Sequence, residues 1–145
     1  MTESGLSAWV VWALLSAGFA ALTAILAKVG VEGISSDVAT LIRTAVVFLL
    51  LAGLFLASGE SLSPASIPAR SWLFLVLSGL ATGASWLCYF RALKLGPASQ
   101  VAPIDKLSVV LVALFGVAFL GERMSAVNWL GVALITGGVL LIAIR

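Results

Sequence analysis

Charged and metal-binding side chains are scarce in this sequence of 145 residues. Only 10% of the residues are Asp, Glu, Lys or Arg, and 62% are hydrophobic. Soluble domains contain about 25% charged residues, so this chain has too little polar surface to cover a globule in water. It has no histidine and a single cysteine, Cys88, which excludes a histidine-based triad and an internal disulfide and disfavours a zinc site. The composition therefore indicates a membrane protein without a cofactor, and a net charge of +2 does not suggest a nucleic-acid partner.

Long hydrophobic runs recur along the chain between short polar segments. A membrane-spanning helix requires about 20 apolar residues, and the sequence accommodates five such helices in one domain over residues 1–145. The predicted helices cover residues 7–29, 38–57, 71–95, 97–120 and 124–144, and Ser36 or Asp37 is expected to cap the second helix. Trp9, Trp72 and Trp129 fall near the starts of the first, third and fifth helices, as expected of tryptophans at the membrane interface. We therefore predict an all-α bundle of five transmembrane helices.

The basic residues are distributed unevenly between the two sides of this bundle. The loops on the side of the N-terminus contain Arg70 and Arg123, whereas the opposite side contains Lys28, Arg91, Lys94 and Arg145. Cytoplasmic loops carry an excess of Lys and Arg, so the N-terminus is expected outside. Because the excess of Lys and Arg on that side is small, insertion of the chain in both orientations remains an alternative.

Three ionisable residues, Arg43, Asp105 and Lys106, fall inside predicted helices. Arg43 lies about 8 Å and Asp105 about 12 Å from the start of its helix at 1.5 Å per residue. Charged residues at such depth usually face the bundle interior or a water-filled cavity. Asp105 and Lys106 are about 100° apart around a regular helix and are not expected to pair with each other. The predicted partner of Asp105 is therefore Arg43.

Two interpretations of these charges remain open. In the first, Arg43 and Lys106 extend to the membrane surface and Asp105 is a structural counter-ion. In the second, the three residues form the floor of a substrate vestibule, with Asp105 as a counter-ion or a proton carrier. The surplus of positive charge would then suit a substrate that bears a carboxylate.

A proline and several aromatic residues accompany these charges. Pro103 removes a backbone hydrogen bond and frees the carbonyl near Ser99, which predicts a kink or break in the fourth helix. Broken helices commonly form transporter sites at the middle of the membrane. Trp12, Trp86 and Tyr89 lie deeper than the interface, so they are either core residues or the walls of a cavity for a small organic ligand.

The stretch from Trp86 to Ile142 contains an ordered series of short motifs. They are Tyr89-Phe90-Arg91-Ala92-Leu93, Gly96-Pro97-Ala98, Pro103, Leu107-Ser108, Leu120-Gly121-Glu122-Arg123 and Trp129-Leu130-Gly131. Their order and spacing resemble the end of an EamA domain, the recurring unit of the drug/metabolite transporter superfamily. The first two helices match more loosely, with Lys28 and Arg43 in place, whereas Ala20-Ala21 stands where many members have Trp-Gly.

The resemblance implies a secondary transporter of a small polar or amphipathic metabolite, commonly an exporter, in a bacterial inner membrane. Larger members contain two five-helix halves in inverted orientation, so this unit is equivalent to one half of a ten-helix transporter. The implied partners are a small-molecule substrate, the lipid bilayer and a second copy, most simply in an antiparallel homodimer that works by alternating access. The residues expected to bind substrate are Arg43, Asp105, Lys106, Trp86, Tyr89, Trp12 and Ser108, with Pro103 as a helix break.

Small residues indicate where helices approach closely. In lipid no hydrophobic force drives helices together, so glycine seams mark close packing. Gly131, Gly137 and Gly138 in the fifth helix predict the dimer contact there.

Two other function classes compete with transport by this chain itself. A non-transporting subunit of a hetero-oligomeric transporter or lipid flippase would be inactive alone and would co-purify with a partner. A membrane enzyme is disfavoured because no Ser, Lys or Cys has an evident activating base. Small four-helix multidrug exporters use a glutamate in the middle of helix 1, and the absence of an acid between Glu3 and Lys28 disfavours that route of proton-driven export.

Overall fold

A computed structural model describes residues 8–61 and 63–144, and within these residues the regular structure is entirely helical. The α-helices are α1 (Ala8–Gly30), α2 (Ser36–Ala57), α3 (Ala69–Leu95), α4 (Ala98–Asp105), α5 (Ser108–Leu120) and α6 (Ala126–Ala143), with a 3-10 turn at Pro64–Ser66. With α4 and α5 taken as one interrupted span, the described part contains five helical segments long and apolar enough to cross a membrane. This confirms the predicted five-span, all-α class. Ser7 at the predicted helix start and Arg145 at the other end lie outside the described residues.

α2 begins two residues earlier than predicted, because its N-cap is Ser35 and not Ser36 or Asp37. Ser35 is extended (φ −72°, ψ 147°), and its hydroxyl accepts a hydrogen bond from the Val38 N–H at 3.2 Å. A hydroxyl in this position satisfies one of the N–H groups that the first turn leaves free. Asp37 therefore falls in the first turn, where its carboxylate is favoured by the helix dipole.

The predicted fourth helix is interrupted after Asp105. The Leu107 N–H donates to the Ile104 carbonyl at 3.0 Å, and the Val109 N–H donates to the Lys106 carbonyl at 3.0 Å. These bonds span three residues where a regular α-helix spans four. α4 therefore ends at Asp105, and α5 continues from Ser108.

The chain divides into two compact units. We call Ala27–Leu95 the central unit and residues 8–26 with 96–144 the terminal unit. In the central unit α2 packs against α3, and in the terminal unit α6 packs against α4 and α5. The buried side chains of the central unit are Val31, Ala39, Thr40, Phe90 and Leu93, and those of the terminal unit are Ala24 and Val139.

Most of the large apolar side chains in both units are exposed, as in a protein covered by lipid. At most 11% of the most apolar window of any span is buried within the chain. The tryptophans predicted at the interface lie in the first turn of α1, α3 and α6 and are 72%, 44% and 37% exposed (Trp9, Trp72 and Trp129). Such rings suit a boundary that is apolar on one side and hydrated on the other.

Candidate functional site

Arg43 of α2 is stacked on two aromatic rings of α3 within the central unit. Its guanidinium carbon Cζ lies 4.2 Å from the ring centroid of Trp86 and 5.6 Å from that of Phe90. A cation at this distance is attracted by the ring quadrupole, with a gain of about 2 kcal/mol when the pair is desolvated. Phe90 is buried, and Arg43 and Trp86 are half-buried. The charged group is therefore held against α3, which argues against its extension to the membrane surface.

Two polar contacts near the ends of the helices position α2 beside α3. Lys94 Nζ donates to the Ile34 carbonyl at 2.7 Å, and an Arg91 guanidinium nitrogen lies 3.2 Å from an Asp37 carboxylate oxygen. Residue numbers rise along α2 as they fall along α3 in these pairs, so the two helices are antiparallel. In this register Arg43 lies about 10 Å inside the start of α2.

A third contact joins the end of α1 to α3. Lys28 Nζ donates to the Leu93 carbonyl at 2.6 Å. Leu93 is fully buried, and Val31, just after α1, is 1% exposed. This end of the central unit is therefore the most closely packed part of the described chain, and it adjoins the Arg43 position.

The acid closest to Arg43 along α2 is already paired. Asp37 is six residues away, or about 9 Å along the helix axis, and its carboxylate contacts Arg91 at the exposed end of the unit. Among the described residues, Arg43 forms no ion pair with a carboxylate and donates no side-chain hydrogen bond.

Tyr89 also belongs to this cluster. It is close enough to interact electrostatically with Arg43, and its ring centroid lies 6.5 Å from that of Phe90 in an edge-on arrangement. The structure thus brings together three of the residues predicted to bind substrate: Arg43, Trp86 and Tyr89.

The expectation that Asp105 and Lys106 would not pair is wrong. Lys106 Nζ lies 3.3 Å from Asp105 Oδ2, and the two side chains are 56% and 36% exposed. The angular argument assumed an uninterrupted helix, whereas α4 ends at Asp105 and the backbone turns at Lys106. Because of this break, neighbouring side chains can turn towards each other, and Asp105 has a partner without Arg43.

The remaining predicted residues lie in the terminal unit. Ser108 is the exposed first residue of α5, Pro103 is inside α4, and Trp12 of α1 is 72% exposed. One exposed face of α1 is apolar, and its residues are Val11, Leu14, Leu15, Gly18, Phe19 and Leu22. A substrate contact by Trp12 or Ser108 stays a prediction.

The profile of the EamA-like transporter family matches residues 7–144. The chain belongs to this family. A relative from Sinorhizobium sp., named as an uncharacterized transporter in the cobO 3' region, is 64% identical over 136 residues, which cover 94% of this chain and 96% of the relative. This EamA-family protein is therefore a multi-pass membrane transporter.

Two more distant relatives differ in length from the EamA-family chain. The transporter YxxF of Bacillus subtilis is 26% identical over 137 residues, which are 94% of this chain but 42% of the relative. A protein of Hamiltonella defensa is 34% identical over 71 residues, covering 49% of this chain and 62% of the relative. Its name is probable 4-amino-4-deoxy-L-arabinose-phosphoundecaprenol flippase subunit ArnE. No solved structure matches the chain.

Sequence reasoning did not identify Phe90 as part of the Arg43 cluster of this EamA protein. Phe90 entered only as the middle of the Tyr89-Phe90-Arg91 motif. Its position four residues after Trp86 places both rings on one face of α3, and that spacing was the available signal. Which helix opposes this face is decided by the packing of α2 on α3.

Proposed function

We propose that this protein is a secondary transporter that exports a small polar or amphipathic metabolite across a bacterial inner membrane. The observation that carries the transport function is the match of the EamA-like transporter family to residues 7–144, and nearly the whole chain matches less than half of a longer transporter, YxxF. The remainder of that relative is long enough to contain a second region of the same length. One five-span unit would therefore form half of a transport pathway, and a second unit would form the other half.

A second copy in antiparallel orientation would supply the missing half. An odd number of spans places the two ends of a unit on opposite sides of the membrane, so a fused second unit would be inverted relative to the first. In the Sinorhizobium relative a unit of this size makes up nearly the whole transporter, which supports assembly from separate chains. We propose the glycine seam of α6 as the dimer contact, because glycines allow close backbone approach in lipid.

Each unit contains residues proposed to bind substrate. Those of the central unit are Arg43, Trp86 and Tyr89, and those of the terminal unit are Trp12, Asp105, Lys106 and Ser108. The pairing of Asp105 with Lys106 favours Asp105 as a counter-ion over a proton carrier. The break after Asp105 would allow α4 and α5 to move separately during alternating access.

A second candidate is a subunit that acts with a different membrane protein. It is favoured by the similarity to the flippase subunit of Hamiltonella defensa over half of this chain. In that arrangement the partner protein would complete the pathway, and the purified chain would be inactive alone.

Topology distinguishes the two candidates. Cys88 is replaced, a single cysteine is placed near either terminus, and intact cells are treated with a membrane-impermeant thiol reagent. The antiparallel homodimer predicts that each terminus labels to about half of its value in permeabilised cells, because half of the chains insert in each orientation. Labelling of one terminus alone would contradict the homodimer and favour an oppositely oriented partner.

A further inference from the structure

We infer that the guanidinium of Arg43, stacked on Trp86, binds the carboxylate of the transported molecule, and that the substrate is an amphipathic monocarboxylate. This inference rests on the proposed transport function and specifies its substrate class.

Because the other charged residues in question are paired, Arg43 is the candidate cation for binding an anionic ligand. The surplus of positive charge in the sequence included both Arg43 and Lys106, but Lys106 is paired with Asp105. Asp37, the acid on α2, is paired with Arg91. Arg43 is thus a cation inside a span that has no acidic partner among the described residues. Because a charge at this depth is unfavourable in lipid, an anionic ligand would be favoured at this position.

Stacking on an aromatic ring engages the face of a guanidinium and not its edge. The ring centroids of Trp86 and Phe90 lie 4.2 Å and 5.6 Å from Arg43 Cζ, so the cation contacts the two aromatic rings. The N–H groups of a guanidinium project from its edge in a planar fork that matches a carboxylate. A stacked guanidinium is restrained in orientation, so less conformational freedom is lost when a carboxylate binds.

The surroundings define the rest of the ligand. One cation without an acid suits a single negative charge, and the cluster offers no second cation to a second carboxylate. Trp86, Phe90 and Tyr89 are aromatic, so the body of the ligand would contact apolar rings. Arg43 lies about 10 Å inside the start of α2, which places the site deeper than lipid headgroups and favours a metabolite over a phospholipid.

Binding can be measured on the purified full-length protein in phosphatidylcholine nanodiscs by isothermal titration calorimetry. The probes are hexanoate and benzoate, each compared with its uncharged amide. The variants are Arg43→Gln, which removes the charge, and Arg43→Lys, which keeps the charge but loses the fork. Arg70→Gln is the matched control, because Arg70 also lies near an aromatic ring, that of Phe74 at 5.8 Å, but at the start of α3.

We expect at least one acid to bind about tenfold or more tightly than its amide, because charge-assisted hydrogen bonds are lost in the amide. Arg43→Gln should remove this preference, Arg43→Lys should reduce it, and Arg70→Gln should leave it unchanged. If Arg43→Gln does not fold, the reduction in Arg43→Lys tests the same point. Equal binding of acid and amide, or an unchanged preference in the Arg43 variants, would overturn the inference.

Two further measurements separate this inference from the proposed function. Arg43-dependent binding of an acid without its transport in proteoliposomes would support the site and refute transport by the chain alone. Transport of an acid with an unchanged KM in Arg43→Gln would refute the site but would be consistent with the proposed transport function.

A lipid competitor distinguishes a substrate from a phospholipid. Displacement of hexanoate when phosphatidylglycerol is added to the nanodiscs would identify a lipid phosphate as the occupant and overturn the assignment to a substrate.

Discussion

The central and terminal units are held together by different kinds of contact. In the central unit, Lys28, Arg91 and Lys94 each reach a segment more than fifty residues away in sequence. In the terminal unit, the polar contacts include Lys106 with Asp105 and the Asn128 N–H with Ser125, which join near neighbours in sequence.

This difference indicates where a membrane bundle becomes rigid. Helices in lipid gain little from apolar contact, so hydrogen bonds and close packing between helices determine their relative positions. Such contacts are concentrated at the end of the central unit that adjoins Arg43. The candidate anion site is therefore on the unit in which these polar contacts join distant segments, whereas the helix break is on the other.

The largest expected effect comes from the buried core of the central unit. Leu93→Ala removes a side chain that is 0% exposed and should lower the free energy of unfolding by about 2 kcal/mol or more, because a cavity is left. Leu95→Ala is the control, since Leu95 is 89% exposed and its truncation should cost less than about 0.5 kcal/mol. Unfolding by SDS in mixed micelles measures both. Equal losses would show that the core around Leu93 is not the stabilising element.

A smaller effect is expected from the contact between α1 and α3. Lys28→Met keeps most of the aliphatic chain but removes the donor to the Leu93 carbonyl, and the loss should be about 1.5 kcal/mol, as for hydrogen bonds to charged groups. Lys106→Met breaks the exposed pair with Asp105 and should cost less than about 1 kcal/mol. The same unfolding assay compares the two variants. A larger loss of unfolding free energy in Lys106→Met than in Lys28→Met would contradict the view that the contacts between distant segments contribute more stability.

The smallest effect concerns two glycines of the terminal unit. Gly121 ends α5 with φ 69°, so Gly121→Ala should cost about 1 kcal/mol because an L side chain is strained there. A Cβ at Gly131 in α6 meets nothing within 4 Å, so Gly131→Ala should not destabilise a single chain. Unfolding of the monomer tests both expectations. If Gly131→Ala weakens dimer crosslinking while leaving the monomer stable, the α6 seam is the contact between copies.

The number of spans and the helical class were predictable from the sequence, because hydropathy is a local property of each segment. The placement of Arg43 and Asp105 within segments long enough to span a membrane followed from the same pattern. Trp86 and Tyr89 were predicted as core residues or cavity walls, and their position in the Arg43 cluster was not predicted.

The partners of the charged residues were decided by tertiary structure. Arg43 lies on Trp86 and Phe90 because the register of α2 on α3 brings these faces together, and register depends on contacts between distant segments. Asp105 pairs with Lys106 because the helix ends there, and a regular helix would have kept them apart. The sequence by itself determined which segments enter the membrane, and only the packing of helices, together with the break after Asp105, determined which side chains meet.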